Sequence, residues 1–270
     1  MDTLHAPAGL RVISPADWGP DLGLVTGGSW REMVGSAVGA RRRSLFDVTL
    51  EPGARSALLR HEGEAVYYVI EGQATIVEHL AVGPEASLLS EGAMAHAHAG
   101  ATYHLESETG ARLIGGPSPV APLSPAVAAT DAVTEPRVSI HHRDGDVLQV
   151  PFISSDARLV VWLGKGAVTA NMNYVVLEPG ERNKEHVHAE SEDTIHILEG
   201  RGTAENITTG ERLPFGPGDT IHIEVGFWHA VAADQGERVV SVGGPCPADV
   251  DMLRAAGVDV DDLLSRYGRA

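Results

Sequence analysis

The sequence contains a single cysteine, Cys246, in 270 residues. An internal disulfide framework and a zinc site built from several thiolates are therefore excluded. Basic residues are also scarce, with 20 against 37 acidic ones, and the formal net charge is −17. Nucleic acid and anionic membranes require a basic face, so we expect neither as a partner. The apolar fraction of 43% and the charged fraction of 21% are those of an ordinary globular protein.

Long apolar runs are missing as well. No segment approaches the roughly 18 consecutive apolar residues that a membrane span needs. Residues 1–20 lack a basic region followed by an apolar one, which a signal peptide would have. We therefore expect a cytoplasmic protein.

An internal repeat organises the chain, and its three segments recur in the same order at offsets of 127, 128 and 128 residues. The pairs are Leu50-Glu51-Pro52-Gly53 with Leu177-Glu178-Pro179-Gly180, Ile70-Glu71-Gly72 with Leu198-Glu199-Gly200, and Gly115-Gly116-Pro117-Ser118-Pro119 with Gly243-Gly244-Pro245-Cys246-Pro247. Self-similarity of this kind indicates two copies of one structural unit. Residues 117–134, rich in Pro, Ala, Ser and Thr, have the composition of a linker.

Each copy consists of short β-branched runs separated by Gly and Pro. Such punctuation every 8–20 residues predicts an all-β sandwich or barrel. Helices are predicted only near the C-terminus, over 250–256 with Asp249 as the cap, and over 260–267. We expect a first domain at 1–120, a linker at 121–140 and a second domain at 141–270.

Histidines of the second copy carry the chemical signal. His186 and His188 are separated by one residue, so in an extended strand both imidazoles point to the same face. Asp193 begins the next strand, and His229 follows a turn that can return it to the same pocket. Three imidazoles and one carboxylate are a suitable ligand set for a divalent first-row transition metal.

These spacings resemble the two motifs of the cupin family. Gly180, His186, His188, Asp193 and Gly200 match the first motif, with Asp in place of the usual Glu. The second motif is matched by Gly218, Gly226 and His229, whereas Glu224 replaces a Pro and Ala233 an Asn. The resemblance covers both copies and implies two tandem double-stranded β-helix (jelly-roll) barrels. It also implies His186, His188, Asp193 and His229 as the metal ligands. Because Asp is one methylene shorter than Glu, ligation by Glu192 or by the three histidines alone stays open.

The first copy has lost most of this ligand set. Leu59 stands at the first His position, His61 keeps the second, and Ala65 and Tyr103 replace the carboxylate and the last His. One interpretation is a purely structural barrel. The alternative is a second, non-standard site drawn from His61, Glu64, His98 and His104, with His96 on the same strand face as His98.

Further residues are candidates for the pocket of the second copy. We expect His222 and Glu224 to act as catalytic groups near the metal. The expected substrate-pocket residues are Met172, Tyr174, Lys184 and Trp228. Loss of the metal, with the histidines as an ordinary polar patch, is the competing interpretation. It is disfavoured because buried imidazoles without partners are costly.

The resemblance implies one divalent ion of iron, manganese, nickel, copper or zinc, with two coordination positions left for a small substrate, O2 or water. We expect a metal-dependent enzyme, of dioxygenase type, acting on a small oxygenated organic molecule. The alternatives are a non-redox aminohydrolase, isomerase, cyclase or lyase, and a non-catalytic ligand-binding cupin. The quaternary state stays open; a homodimer, with residues 1–27 as an arm, is one alternative.

Overall fold

The computed structural model describes residues 9–121, 123, 125 and 134–268. Much of the predicted linker, residues 122, 124 and 126–133, therefore lies outside the described residues. The first half contains β1 (Leu10–Ile13), β2 (Val25–Val34), β3 (Leu45–Ser56), β4 (Leu59–Arg60), β5 (Glu64–Leu80), β6 (Gly83–Ser90), β7 (Ala93–Ala97), β8 (Thr102–Ser107) and β9 (Ala111–Ser118).

The second half repeats this series of strands and ends in two short helices. Its elements are β10 (Val138–His142), β11 (Leu148–Gln149), β12 (Asp156–Val161), β13 (Met172–Leu177), β14 (Glu192–Glu199), β15 (Gly202–Asn206), β16 (Glu211–Phe215), β17 (Thr220–Ile223), β18 (His229–Ala233), β19 (Val239–Cys246), α1 (Val250–Ala255) and α2 (Val260–Tyr267). Single 3-10 turns lie at Pro15–Asp17, Ser36–Val38 and Leu163–Lys165. The predicted all-β class and the two C-terminal helices are confirmed. No helix in the described part of the chain has the length and apolarity to cross a membrane.

The strands form two barrels. The first barrel is one sheet in the order β10-β7-β5-β9-β3-β8-β4, with β2 on β3 and β6 on β5. The second is built from a sheet in the order β1-β17-β14-β19-β13-β12-β11 and a three-stranded sheet in the order β16-β15-β18. The repeat seen in the sequence therefore corresponds to one barrel per copy.

The two barrels exchange their first strands. Strand β1 pairs with β17 of the second barrel, with Leu10 opposite Ile223. Strand β10 pairs with β7 of the first barrel, with Ser139 opposite His96. Residues 138–140, which fall within the predicted linker, are thus part of a sheet, and each half of the chain completes the other half's barrel.

Three apolar clusters account for the barrels and their junction. The first barrel is filled by large buried side chains, among them Trp30, Phe46, Tyr67 and Tyr103. The interior of the second contains Ile197, Phe215, Ile221, Ile223 and Val231. A third cluster joins the barrels and draws on both halves, including Met33, Val66, Tyr68, Met94, Met172, Tyr174 and Val242. Each sheet at the junction is consequently buried on both faces.

Strand β14 shows how alternation divides functional side chains between these two environments. Asp193 and Ile195 line the cavity inside the second barrel. Glu192 points the other way, and its carboxylate accepts hydrogen bonds from the backbone amides of Arg41 and Arg42 at 2.8–3.0 Å. Glu192 is therefore a tie between barrels and is not placed to replace Asp193 as a ligand.

Candidate metal centre

Four side chains converge inside the second barrel. His186, His188, Asp193 and His229 each place one ligand atom within 4.8 Å of the others. Oδ2 of Asp193 lies 3.6 Å from Nε2 of His188 and 3.5 Å from Nε2 of His229. Two ligands held at about 2.1 Å by a tetrahedral ion lie roughly 3.4 Å apart, so these separations are compatible with a shared cation.

Different elements bring the four residues together. Asp193 belongs to β14 and His229 is the first residue of β18, while His186 and His188 lie in the segment before β14. The sequence predicts that His186 and His188 share a regular strand. The structure instead gives that segment a single β-bridge, between His186 and His229, with hydrogen bonds in both directions at 2.9 and 3.1 Å. This bridge fixes the spacing of two of the three imidazoles.

Hydrogen bonds at the far side of each ring set the tautomers. Nδ1 of His186 lies 2.8 Å from the carbonyl oxygen of Lys184, and Nδ1 of His229 lies 2.9 Å from that of Phe227. Nδ1 of His188 lies 2.6 Å from Oδ2 of Asp249. Carbonyls and carboxylates only accept, so each Nδ1 donates. In its neutral form each ring therefore carries its lone pair on Nε2, which faces the centre, and a bound metal would replace the second proton of His188.

Three of the atoms that face the centre form no hydrogen bond. Nε2 of His188, Nε2 of His229 and Oδ1 of Asp193 are buried and have no hydrogen-bond partner in the structure. Buried polar atoms without partners are costly. A cation bound between them would satisfy all three, so the residues present fit a divalent metal.

The charge balance also favours a cation at this point. Burial, followed by the neighbouring rings of His229 and His188, lowers the pKa of His186 to about 4. Burial alone would lower the pKa of His188, but the carboxylates of Asp193 and Asp249 outweigh it and raise this pKa to about 9. Burial opposes ionisation of Asp193, yet the rings of His188 and His229 lower its pKa well below the usual range. An ionised carboxylate thus lies among buried imidazoles.

A cavity of about 50 Å³ opens next to the centre. Its wall is largely apolar and includes Ile153, Leu159, Val175, Leu177, Ile195, Val231 and Met252. The polar wall residues other than the ligands are Asn173, Asn183 and Ser241. An outer cleft of about 250 Å³, lined by Phe152, Lys184, Glu185 and Asp251 among others, connects to the same histidines. The space suits a small molecule.

Comparisons with known proteins agree with this architecture. The family model for the cupin domain matches residues 173–242, which span β13 to β19. A Lactobacillus farciminis oxalate decarboxylase in its formate complex aligns with a TM-score of 0.69 at 14% identity, covering 98% of this chain and 96% of that one. A deletion variant of Bacillus subtilis oxalate decarboxylase aligns with a TM-score of 0.66 at 18% identity, covering 91% and 79%. Residues 173–242 match the cupin domain, and the whole chain has the two-barrel fold of bicupins.

A further similar structure concerns the Mn(II) centres of the Bacillus subtilis enzyme, with a TM-score of 0.67, 16% identity and coverage of 98% and 89%. At such low identities the similarity shows only the fold of this chain. A sequence search of curated proteins returned no match.

The described residues of the first barrel do not form an equivalent ligand set in its interior. His61 retains one ligand position, but its Nε2 is bonded to the Tyr103 hydroxyl at 3.0 Å, and Tyr103 donates to the Tyr67 hydroxyl at 3.0 Å. All three side chains are buried. His104, offered as a substitute ligand, points away from this interior toward His79 and Glu106. Tyrosines thus occupy the space where the second barrel gathers its ligands.

Two expected catalytic groups lie on the wrong face of β17. Ile221 and Ile223 enter the barrel interior, so His222 faces the junction, with Nδ1 3.4 Å from the Thr194 hydroxyl. Glu224 lies just beyond the end of β17, and its Oε1 is 3.4 Å from the position that a Cβ on Gly39 would take. The alternation of the strand thus directs His222 and Glu224 away from the cavity, and neither is part of the described cavity wall.

The expected pocket residues are also largely displaced. Asn173 and Val175 line the cavity, so Met172 and Tyr174 on the opposite face of β13 pack into the junction cluster instead. Trp228 is 49% exposed and is not part of the cavity wall. Lys184 does line the outer cleft, and its carbonyl oxygen accepts the hydrogen bond from His186.

Asp249 is the site residue that sequence reasoning missed. It was identified only as a helix cap, and Oδ1 does accept from the amides of Asp251 and Met252 at 2.9 and 3.0 Å. Its other oxygen holds His188. A capping signal accounts fully for an Asp at this position, so the sequence offers no separate sign of the second role.

Proposed function

We propose that this bicupin is a metalloenzyme with one catalytic centre, in the second barrel, and that it catalyses a dioxygenase-type reaction on a small, mostly apolar substrate with two adjacent oxygen donors. The observation that carries the proposal is the composition of the cavity wall. Apart from the ligands themselves, the described wall residues include no titratable side chain. The protein supplies a metal-binding set and an apolar chamber, and little else.

This wall favours some reaction classes over others. Hydrolysis, isomerisation and lyase chemistry generally use a positioned general acid or base. In the described wall, every titratable group is committed to the ligand set. A substrate that enters as a chelating enolate and reacts with O2 needs fewer proton transfers from the protein. The wall therefore supports the redox alternative over the non-redox ones.

The residues have distinct tasks in this scheme. His186, His188, His229 and Asp193 would hold the metal, and the carbonyls of Lys184 and Phe227 together with Asp249 keep a proton on each Nδ1. A bound divalent ion supplies Lewis acidity and, when it is iron, manganese, nickel or copper, redox chemistry toward O2. The buried carboxamide oxygen of Asn173 has no hydrogen-bond partner and lies in the wall, so it can accept from a substrate hydroxyl.

Oxalate itself suits this cavity poorly. A small dianion requires a second positive charge besides the metal, and no Arg or Lys is among the described residues of the inner wall. Lys184 lies in the outer cleft, where Glu185, Asp249 and Asp251 oppose its charge. The bicupin fold shared with oxalate decarboxylases is thus compatible with a different, less charged substrate.

The deciding experiment combines metal analysis with O2 uptake. Purified protein is measured for metal per chain and then assayed with an oxygen electrode against acetylacetone, an α-hydroxyketone, catechol and oxalate. We expect about one redox-active metal per chain and O2 consumption with an enolisable or catecholic compound, both lost in His186→Ala. Turnover that is unchanged without O2, or a zinc-only protein, would instead support non-redox chemistry.

A further inference from the structure

A second cluster of ligand-type side chains lies between the barrels, outside both interiors. Glu64, His96 and His98 each place one ligand atom within 4.8 Å of the others. Nε2 of His96 is 3.4 Å and Nδ1 of His98 is 3.9 Å from Oε1 of Glu64. We refer to these three residues as the interbarrel triad. It is distinct from the four ligands of the second barrel.

The strand register places the triad at the junction. His96 on β7 lies opposite Val66 on β5, and opposite Ser139 on β10 on its other side. Val66 belongs to the apolar cluster that joins the barrels. Residues paired across neighbouring strands share a face, so His96 also points to the junction. His98 follows two residues later, just beyond the end of β7.

His96 is an unexplained buried polar group. It is fully buried, and neither of its ring nitrogens has a hydrogen-bond partner. The 3.4 Å separation from Glu64 is longer than the roughly 2.7–2.9 Å of a charge-assisted hydrogen bond. An imidazole without partners at both nitrogens is costly in a protein interior, and an occupant between His96 and Glu64 would remove part of that cost.

Glu64 has one oxygen to spare for such an occupant. Its Oε2 accepts from the amides of Thr169 and Ala170 at 2.7 and 2.8 Å and from the Thr169 hydroxyl at 3.0 Å. Oε1 has only a 3.1 Å contact with the amide of Val168. The backbone amides and the Thr169 hydroxyl therefore hold Oε2, while Oε1 remains directed toward His96 and His98.

We propose that the interbarrel triad binds a divalent cation of the zinc type, through Oε1 of Glu64, one ring nitrogen of His96 and Nδ1 of His98, with solvent as the fourth ligand. Two imidazoles and a carboxylate are a donor set that zinc accepts. Because Glu64 already holds residues 168–170 of the second barrel, the cation would brace the junction between the two barrels. The site is structural and separate from the catalytic centre.

The surroundings of the triad are compatible with a cation. His141 lies near it on β10, and its Nε2 lies 3.1 Å from the Ser139 hydroxyl. Lys165 is paired with Asp146 in an ion pair, and Arg137 donates to the carbonyl of Ala99 at 2.7 Å. These nearby cations are engaged elsewhere.

The experiment uses a His186→Ala/His229→Ala protein, in which the catalytic centre has lost two ligands. This protein is dialysed against micromolar free zinc, and zinc per chain is measured by plasma mass spectrometry. We expect about one zinc per chain, a fall to nearly none on adding His98→Ala, and no change on adding His142→Ala. His142 is a matched control, because it lies on β10 beyond His141 and is bonded to the carbonyl of Glu91.

Folding is checked by circular dichroism, and Glu64→Gln, which keeps the shape of the side chain, provides a second variant with the same expected loss of zinc. X-ray absorption at the zinc edge of the His186→Ala/His229→Ala protein should show two imidazoles and otherwise oxygen ligands. Absence of zinc from that protein, or retention of zinc after His98→Ala, would overturn the proposal.

Discussion

His188 and Asp249 are joined by a 2.6 Å hydrogen bond that links the candidate metal centre to the first turn of helix α1. One carboxylate serves both, since Oδ1 caps the helix and Oδ2 fixes the ring. The segment after the second barrel is therefore coupled to the ligand set. Substitutions at Asp249 should change the metal affinity as well as the stability of the folded protein.

Asp249→Asn should separate these two roles. Asn is a good helix cap, so its oxygen can stay on the amides of Asp251 and Met252, and stability should change little. Its amide group would then face Nδ1 of His188 and favour the tautomer that protonates Nε2. We expect metal affinity to fall about 10–100-fold, the usual cost of losing such a partner, as measured by competition with a chelator.

Asp259→Ala is the matched control, because Asp259 caps only α2, through the amide of Asp262. It should lose about 1 kcal/mol of unfolding free energy and keep full metal affinity. Equal metal affinity in Asp249→Asn and wild type would mean that His188 does not depend on Asp249.

Glu192 and Asp193 are adjacent in sequence but have different roles, since Asp193 is a candidate metal ligand and Glu192 connects the two barrels. Substitution should distinguish these roles. Asp193→Asn should abolish metal binding at the second-barrel centre, because the only carboxylate in that ligand set is lost. Glu192→Gln should retain the metal but lose about 1.5–3 kcal/mol of unfolding free energy, since a buried charged acceptor of two amides is weakened. Metal content and urea unfolding test both statements. Loss of metal in Glu192→Gln would restore Glu192 as a candidate ligand.

The four candidate ligands could be predicted from the spacing of their motifs, which does not depend on the details of the fold. The residues that line the pocket could not be predicted in this way. In β13 the sequence correctly implies that Met172 and Tyr174 share a face, but not which face looks inward. Both faces of this strand are buried, one in the second barrel and one at the junction, so hydrophobicity does not separate them. The same reason applies to His222 on β17, whose side chain faces the junction and not the cavity.

The exchange of strands between the barrels could not be predicted from the sequence either, for a different reason. Strands β1 and β10 are short, and their partners are far away in sequence, so nothing in their own residues specifies the barrel they join. The internal repeat, in contrast, could be predicted, because the turns of both copies require glycine at equivalent positions. At Gly72 and Gly200 the backbone has positive φ, and a Cβ would lie 2.2 Å from the carbonyl oxygens of Gly110 and Arg238.

His61 provides a test of the first barrel. If this barrel is structural, His61→Ala should leave metal per chain and turnover unchanged. It should cost about 1–3 kcal/mol of unfolding free energy, because the buried Tyr103 hydroxyl loses one of its two partners. Metal analysis and chemical denaturation on the same sample check both parts. A large loss of activity without loss of stability would contradict a structural first barrel.

Buried neutral histidines should make the protein sensitive to mild acid. His196 on β14 faces the junction, with Nδ1 3.0 Å from the Thr220 hydroxyl. Burial, together with the charge of Arg112, lowers its pKa from 6.5 to about 3. Between these values the unfolded chain binds a proton that the folded chain does not, so stability rises with pH across the window and is lost as pH falls from 6.5 toward 3.

The slope attributable to His196 is at most about 1.4 kcal/mol for each pH unit. Denaturation of chelator-treated protein at pH 7, 6 and 5 measures the total dependence. In His196→Asn, which cannot take up that proton, the dependence should be shallower by up to this amount, while the half-exposed His142→Asn control should follow wild type. Parallel pH profiles for wild type and His196→Asn would show that His196 does not remain neutral in the folded protein.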